Sequence, residues 1–209
     1  MDIVNPALEE YMLNLIGERG DLIREMESYG SSRDFPYIGP LVGSYLQQIA
    51  KITGARRIFE MGSGFGYSAI WFSRGAPSDA RIICTDGDSE NRDKAVEYFR
   101  REGIGDRVEF RVGIAQEILK EYDGPFDIIF NDIDKEQYPD VIELVISRLR
   151  EGGLFITDNS LWDGEVINSK AVDIYTEGVK RFNSLIAQRD DLLTTIIPLR
   201  DGLSVSLKV

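Results

Sequence analysis

Acidic residues recur in this chain where short apolar runs end. Phe126–Asn131 is followed by Asp132-Ile133-Asp134-Lys135, and Leu154–Thr157 by Asp158-Asn159-Ser160. Carboxylates brought together repel unless a proton or a cation lies between them. Oxygen donors at an edge open to water select a hard divalent ion, Mg²⁺, Mn²⁺ or Ca²⁺, rather than zinc. Asp132, Asp134, Asp158 and Asn159 are therefore candidate ligands, with solvated acidic loops as the plainer alternative. Lys135 is the base-capable side chain of the group. A neighbouring cation would bring its pKa down towards a useful range; a salt bridge to Asp132 or Asp134 would leave it structural.

A second concentration of chemistry lies at Arg57–Ser68, which reads as a strand, the glycine-rich turn Gly62-Ser63-Gly64-Phe65-Gly66, and a helix start. Such a turn lets the backbone approach a ligand closely. The dinucleotide pattern G-x-G-x-x-G is not met, because Tyr67 stands where its third glycine belongs. Glu60 would repel a pyrophosphate and attract a cation. S-adenosylmethionine, with a sulfonium and an ammonium group, suits that charge better than NAD, although a plain tight turn would look the same. After the next strand, Asp86 can accept two hydrogen bonds side by side from a ribose, while Asp88 or Ser89 suits a helix N-cap. Gly113-Ile114-Ala115-Gln116 offers small residues against which a purine could lie, or simply a loop leading into a helix.

Composition narrows the chemistry. The chain of 209 residues contains no histidine, which removes Ser-His-Asp and Cys-His machinery and the usual zinc sites. Any catalysis must run on carboxylates, lysine, tyrosine or an oxygen-held metal. A net charge of −12 argues against broad binding to nucleic acid or anionic membrane. The single cysteine, Cys84, precludes a disulfide within the chain. No apolar run approaches the ~20 residues needed to span a bilayer, and the N-terminal residues carry no secretory pattern. A cytoplasmic protein that engages no membrane is expected.

These residues need a frame to position them. Strands are expected at Ile58–Met61, Arg81–Thr85, Val108–Val112, Phe126–Asn131 and Leu154–Thr157, with helices between them at Ser68–Arg74, Ser89–Arg101, Gln116–Tyr122 and Pro139–Arg150. This alternation implies parallel strands with right-handed crossovers. A helix over Val172–Ile186 and a hairpin, Leu193–Pro198 with Leu203–Leu207, close the chain. The expected fold is α/β: a Rossmann-like, doubly wound, mostly parallel seven-stranded sheet with an antiparallel C-terminal hairpin and helices on both faces. The first thirty residues read as one or two amphipathic helices, and another runs from about Val42 to Gly54. In such sheets ligands bind at the carboxyl ends of the strands, where the acidic residues stand.

Several segments together carry a resemblance: Glu60-Met61-Gly62 with Gly66-Tyr67-Ser68-Ala69; Phe126 to Lys135 with Tyr138; Gly152-Gly153-Leu154; Asp158 to Gly164; and the closing Ile197 to Leu203. Over residues 35–209 the chain resembles the cation-dependent O-methyltransferases, which include catechol O-methyltransferase, the plant caffeoyl-coenzyme A O-methyltransferases and bacterial relatives. The resemblance implies one S-adenosylmethionine-dependent methyltransferase domain over 1–209, with 1–35 as an N-terminal helical extension. It implies Asp132, Asp158 and Asn159 as metal ligands and Lys135 as catalytic base. Ile38, Gly39, Glu60, Gly62, Gly64, Gly66, Ser68, Asp86, Gly113, Ala115, Asp132 and Asp134 would lie at the S-adenosyl-L-methionine site, and Tyr138 and Trp162 near the acceptor. The implied reaction is Mg²⁺-assisted methyl transfer (or Mn²⁺, Ca²⁺) to a hydroxyl of a small catechol-like aromatic. A tRNA hydroxyuridine is the alternative acceptor, and a homodimer the implied assembly. Gly64, Asn131 and Asp86 depart from the family's usual residues without removing any ligand.

Overall fold

A computed structural model describes residues 1–170 and 173–209. Two helices, α1 (Pro6–Leu15) and α2 (Asp21–Ser32), precede α3 (Gly39–Thr53). The chain then alternates through β1 (Arg57–Met61), α4 (Tyr67–Gly75), β2 (Arg81–Asp86), α5 (Ser89–Glu102), β3 (Val108–Val112), α6 (Ala115–Lys120), β4 (Phe126–Asn131), α7 (Tyr138–Arg148) and β5 (Leu149–Thr157). Helix α8 (Ile174–Ala187) and strands β6 (Leu192–Ile197) and β7 (Leu203–Lys208) follow. Short 3₁₀ segments at Lys135–Gln137 and Trp162–Ile167 follow β4 and β5. Val172, the expected start of the last helix, lies outside the described residues.

The sheet order is β3-β2-β1-β4-β5-β7-β6. β1 to β5 are mutually parallel, and β7 runs antiparallel to both β5 and β6. Side chains alternate across a strand, so the sheet feeds two apolar layers. Ile58, Ile128, Phe130 and Ile156 face α2 to α5, whereas Phe59, Ile129 and Phe155 face α6 to α8. Fully buried Ile23 and Met26 anchor α2 in the first layer, while α1 buries no residue. The chain leaves β1 towards β2 and β3, then returns to β4 on the other side. β1 and β4 therefore flank the topological switch point where such sheets hold ligands.

Most element boundaries shift by one to three residues from the sequence expectation, and the largest departure lies between α7 and β5. α7 ends at Arg148 rather than Arg150, and β5 begins at Leu149 rather than Leu154. Leu149 already pairs with Phe126, and the register then shifts so that Ile128 meets Leu154. Gly152, at φ 69°, takes up the slack, so a segment with turn-like composition belongs to the strand.

Candidate functional site

The glycine turn is held from both sides. Its Gly62 and Ser63 N–H groups donate to the Thr85 carbonyl at 3.1 and 2.8 Å. Gly64 N–H donates to Asp86 Oδ2 at 3.0 Å. Gly62 (φ 82°) and Gly64 (φ 49°) need the left-handed region that glycine tolerates. A Cβ on Gly62 would collide with the Asp132 carbonyl oxygen, and one on Gly64 would sit 2.9 Å from the Phe35 ring. Phe65 packs edge-on against Tyr29 and Phe35, each 5.3 Å between ring centroids, and also against Tyr37 and Tyr98. Tyr67 donates its hydroxyl to Glu27 on α2 at 2.9 Å. The N-terminal helices and the loop after them thus set the turn's position.

A cavity of about 630 Å³ opens above these strand ends. Its walls include Ile38, Gly62, Gly64, Ser68, Asp86, Gly113 and Ala115 from the expected cofactor set. Asp132, Asp134, Lys135, Asp158 and Asn159 line the same space. Asp86 also accepts from Asp88 N–H at 2.8 Å and Asn91 Nδ2 at 3.0 Å, while Asp88 caps α5 through Glu90 N–H.

Three expected residues stand behind the wall rather than in it. Glu60 alternates with Phe59 and so points into the layer that holds Ile58. There it is fully buried, accepting from the Ser68 hydroxyl, with Cys84 Sγ at 3.6 Å. Burial pushes its carboxyl up to about 7, against the opposing pull of its hydrogen bonds to Ser68, Cys84 and Ser63. Gly66 serves packing, since a Cβ there would meet the Phe99 ring at 2.6 Å. Gly39 begins α3 beside the Arg200 side chain.

The acidic loops meet as the strand ends predict. Lys135 Nζ donates to Asp132 Oδ1 at 2.8 Å and to the Ile133 carbonyl at 3.2 Å. It also lies 5.3 and 5.9 Å from the ring centroids of Tyr138 and Trp162. Asp158 is 1% exposed, its Oδ1 has no hydrogen-bond partner, and Tyr138 donates to its main-chain oxygen at 3.1 Å. Burial first, then the charge of Asp132, pushes its carboxyl up to about 7 against the pull of Arg200 and Lys135. Asn159 (φ 55°) spends its amide N–H on Asp201 at 3.0 Å.

A hard cation fits this donor set. An unpartnered carboxylate oxygen buried beside a second carboxylate is the arrangement that a positive charge relieves. Among the described residues no three carboxylate or thiolate groups gather at one point; the set is two carboxylates and an amide. The cavity's glycine floor and acidic edge likewise suit a donor carrying positive groups.

Sequence reasoning missed Phe35, Pro36, Tyr37, Tyr67 and Arg200, which also line the cavity. The first three lie between α2 and α3, away in sequence from any strand end. A smaller cavity of about 270 Å³ shares Asn159 and Arg200 with the first and reaches Trp162, Asp163 and the N-terminal residues Asp2 and Glu9. Among the described residues no helix is long and apolar enough to cross a membrane.

Known proteins share this fold and are similar in sequence. The O-methyltransferase family model matches residues 27–209. A catechol O-methyltransferase of Niastella koreensis is 29% identical, with 96% of each chain covered. Caffeoyl-CoA O-methyltransferase 2 of Zea mays is 31% identical over 80% of this chain and 68% of its own. The crystal structure of an O-methyltransferase from Bacillus cereus in complex with SAH superposes with a TM-score of 0.89 at 30% identity, covering 97% of both chains. With the family model spanning most of its length and the glycine turn opening on the same cavity as the acidic loops, the chain belongs to the O-methyltransferase family and is an S-adenosylmethionine-dependent O-methyltransferase.

Proposed function

We propose that this enzyme methylates one hydroxyl of a small vicinal dihydroxy aromatic in a reaction that depends on a divalent ion. The observation that carries the reading is the buried, unpartnered Asp158 oxygen beside Asp132, Asn159 and Lys135, on the cavity that the glycine turn opens. Relatives named for catechol and for caffeoyl-CoA support the acceptor class. Ile38, Gly62, Gly64, Ser68, Asp86, Gly113, Ala115 and Asp134 would hold the methyl donor. Asp132, Asp158 and Asn159 would hold Mg²⁺, Mn²⁺ or Ca²⁺, which when bound lowers the pKa of a chelated hydroxyl.

In the transfer, an acceptor oxygen forms a bond to the methyl carbon as the sulfur–carbon bond breaks, and the hydroxyl proton leaves to Lys135 Nζ or to water. Holding the two reactants in line is worth about 7–11 kcal/mol, more than the roughly 10²–10⁴-fold of a general base. The walls built by the turn, Phe35 and Tyr37 therefore matter at least as much as Lys135.

A tRNA acceptor finds no support. Of Lys51, Arg56, Arg57, Arg92, Arg100, Arg101 and Arg107, the basic residues a groove would draw on, Arg56 pairs with Asp79, Arg92 with Asp93 and Arg101 with Glu25 and Glu97, leaving Lys51 and Arg100 exposed. Arg57 and Arg107 are engaged by main-chain carbonyls. A cytoplasmic homodimer completes the proposal, with Leu8, Tyr11 and Leu15, exposed on α1, at its interface.

Asp158→Ala tests the site. Methyl transfer to catechol should fall at least about 10³-fold, the scale on which removing a charge-stabilising catalytic group acts, while calorimetric S-adenosylhomocysteine binding stays within a few-fold. Wild-type turnover should vanish with chelator and return with Mg²⁺. Full activity of the variant without divalent ion, or transfer to unmodified tRNA but to no catechol, would overturn the reading.

A further inference from the structure

Arg200 lies in the loop between β6 and β7 and lines both cavities. Its φ of 52° is in the left-handed region, disfavoured for any residue bearing a Cβ. Such strain concentrates where surrounding structure and function demand it. Among the described residues its guanidinium makes no hydrogen bond or ion pair, although the protein is strongly acidic and Arg74, Arg101 and Arg189 each clasp a carboxylate.

The carboxylate next to it in sequence, Asp201, forms no ion pair with it. Asp201 instead accepts from the Asn159 amide at 3.0 Å and from the Asp163 main-chain N–H. Asp2, Glu9 and Asp163, which also line the smaller cavity, form no ion pair with Arg200, and they repel an anion elsewhere in that space. Arg200 is the only cationic side chain lining the smaller cavity among the described residues. On the other side lies Gly39, where an added Cβ would make only ordinary van der Waals contact with Arg200 Cδ and Nε at 3.8 Å. A forked cation without a hydrogen bond among the described residues, at the seam between Asp158 and Asp201, whose charges it offsets, and an otherwise acidic space, can receive a carboxylate bidentately.

We propose that Arg200 recognises a carboxylate on the methyl acceptor, which makes acidic vicinal diols, such as dihydroxybenzoates, preferred over neutral or amine-bearing catechols. This rests on the proposed acceptor class. The cofactor's own carboxylate shares the same chemistry, so the test separates the two sources.

Full-length wild type, Arg200→Gln and Arg200→Lys are compared with Mg²⁺ on 3,4-dihydroxybenzoate, catechol and dopamine. Titration calorimetry measures binding of 3,4-dihydroxybenzoate in the presence of S-adenosylhomocysteine, and of S-adenosylhomocysteine alone. The expected result is a wild-type kcat/KM highest on dihydroxybenzoate. Arg200→Gln should lower that value about 10- to 100-fold more than the value on catechol, chiefly through KM, as expected for removal of one charge-assisted hydrogen bond. Arg200→Lys should recover part of it.

Equal losses on all three acceptors with weakened S-adenosylhomocysteine binding would assign Arg200 to the cofactor and overturn the proposal. Dihydroxybenzoate binding that is absent, or the same in wild type and Arg200→Gln, would also overturn it, and needs no turnover to be read. Absence of transfer to any diol, with Arg200-dependent dihydroxybenzoate binding intact, would sink the proposed reaction and leave the anion site standing.

Discussion

The half of the sheet that carries the glycine turn and the half that carries the acidic loops are built differently. Around β1 to β3 the turn is clamped by aromatic edges, and its main-chain N–H groups find partners on Thr85 and Asp86. Around β4, β5 and β7, Asn131, Thr157 and Ser204 stand in one register, buried, with side-chain atoms that have no hydrogen-bond partner. Four of the five described non-glycine residues at left-handed φ, Asn159, Trp162, Asp163 and Arg200, also lie in the loops of this half. The first half has fewer such features, Trp71 Nε1, Tyr98 OH and the left-handed Asp34 among the described residues. The other keeps unmatched polarity and strain at the proposed reacting end, the pattern expected when local rules yield to a site.

The contrast can be broken most forcefully at Phe65. Phe65→Ala removes the ring at the centre of the aromatic clamp and should cost about 3–5 kcal/mol of stability, with S-adenosylhomocysteine binding weakened in parallel. Denaturant unfolding and calorimetry would read both. Unchanged binding in a folded variant would mean that the clamp does not govern the turn.

Next comes Glu60, a fully buried carboxyl in the first half. Its folded pKa, about 7, lies above the 4.5 of a free side chain, so the folded state holds its proton longer than the unfolded chain. Its contribution to stability is present below pH 4.5 and is lost as pH rises through about 7. Glu60→Gln should remove that decline, a difference of at most about 3 kcal/mol above pH 7. Asp158 titrates in the same window with the same sign, so part of the decline should remain. Melting curves of cofactor-free protein in chelator from pH 4 to 8 would check this; identical slopes for both proteins would contradict it.

The smallest effect should have the opposite sign. Thr157→Val exchanges a buried, unpartnered hydroxyl for a methyl of similar shape and should leave stability unchanged or raise it by about 1 kcal/mol. A clear loss would show that the hydroxyl has a partner, such as bound water.

Much of this molecule is legible from its residues because polarity and strand period coincide. The apolar runs before Asp86, Asp132 and Asp158 announce strands, and the residue after each run falls at the binding edge. Glu60 fails for a readable reason: alternation with Phe59 and Met61 turns it into the helix layer, away from the cavity. The contributions of Phe35, Tyr37 and Arg200 could not be read locally. Each reaches the site only because α2 packs beside the turn, or because β7 inserts between β5 and β6.

One detail of the strand ends bears on how such a protein can change. Beyond the last paired residues, Asp132 N–H bonds the Met61 carbonyl at 2.8 Å and Asp158 N–H the Asn131 carbonyl at 3.1 Å, while Gly62 leaves no room between its turn and Asp132. In the proposed transfer, the reach from donor to acceptor would thus be ruled by peptide groups, at the fixed spacing of neighbouring strands. Side chains around the rim are free to drift towards new acceptors over evolutionary time without retuning the span across which the methyl group must pass.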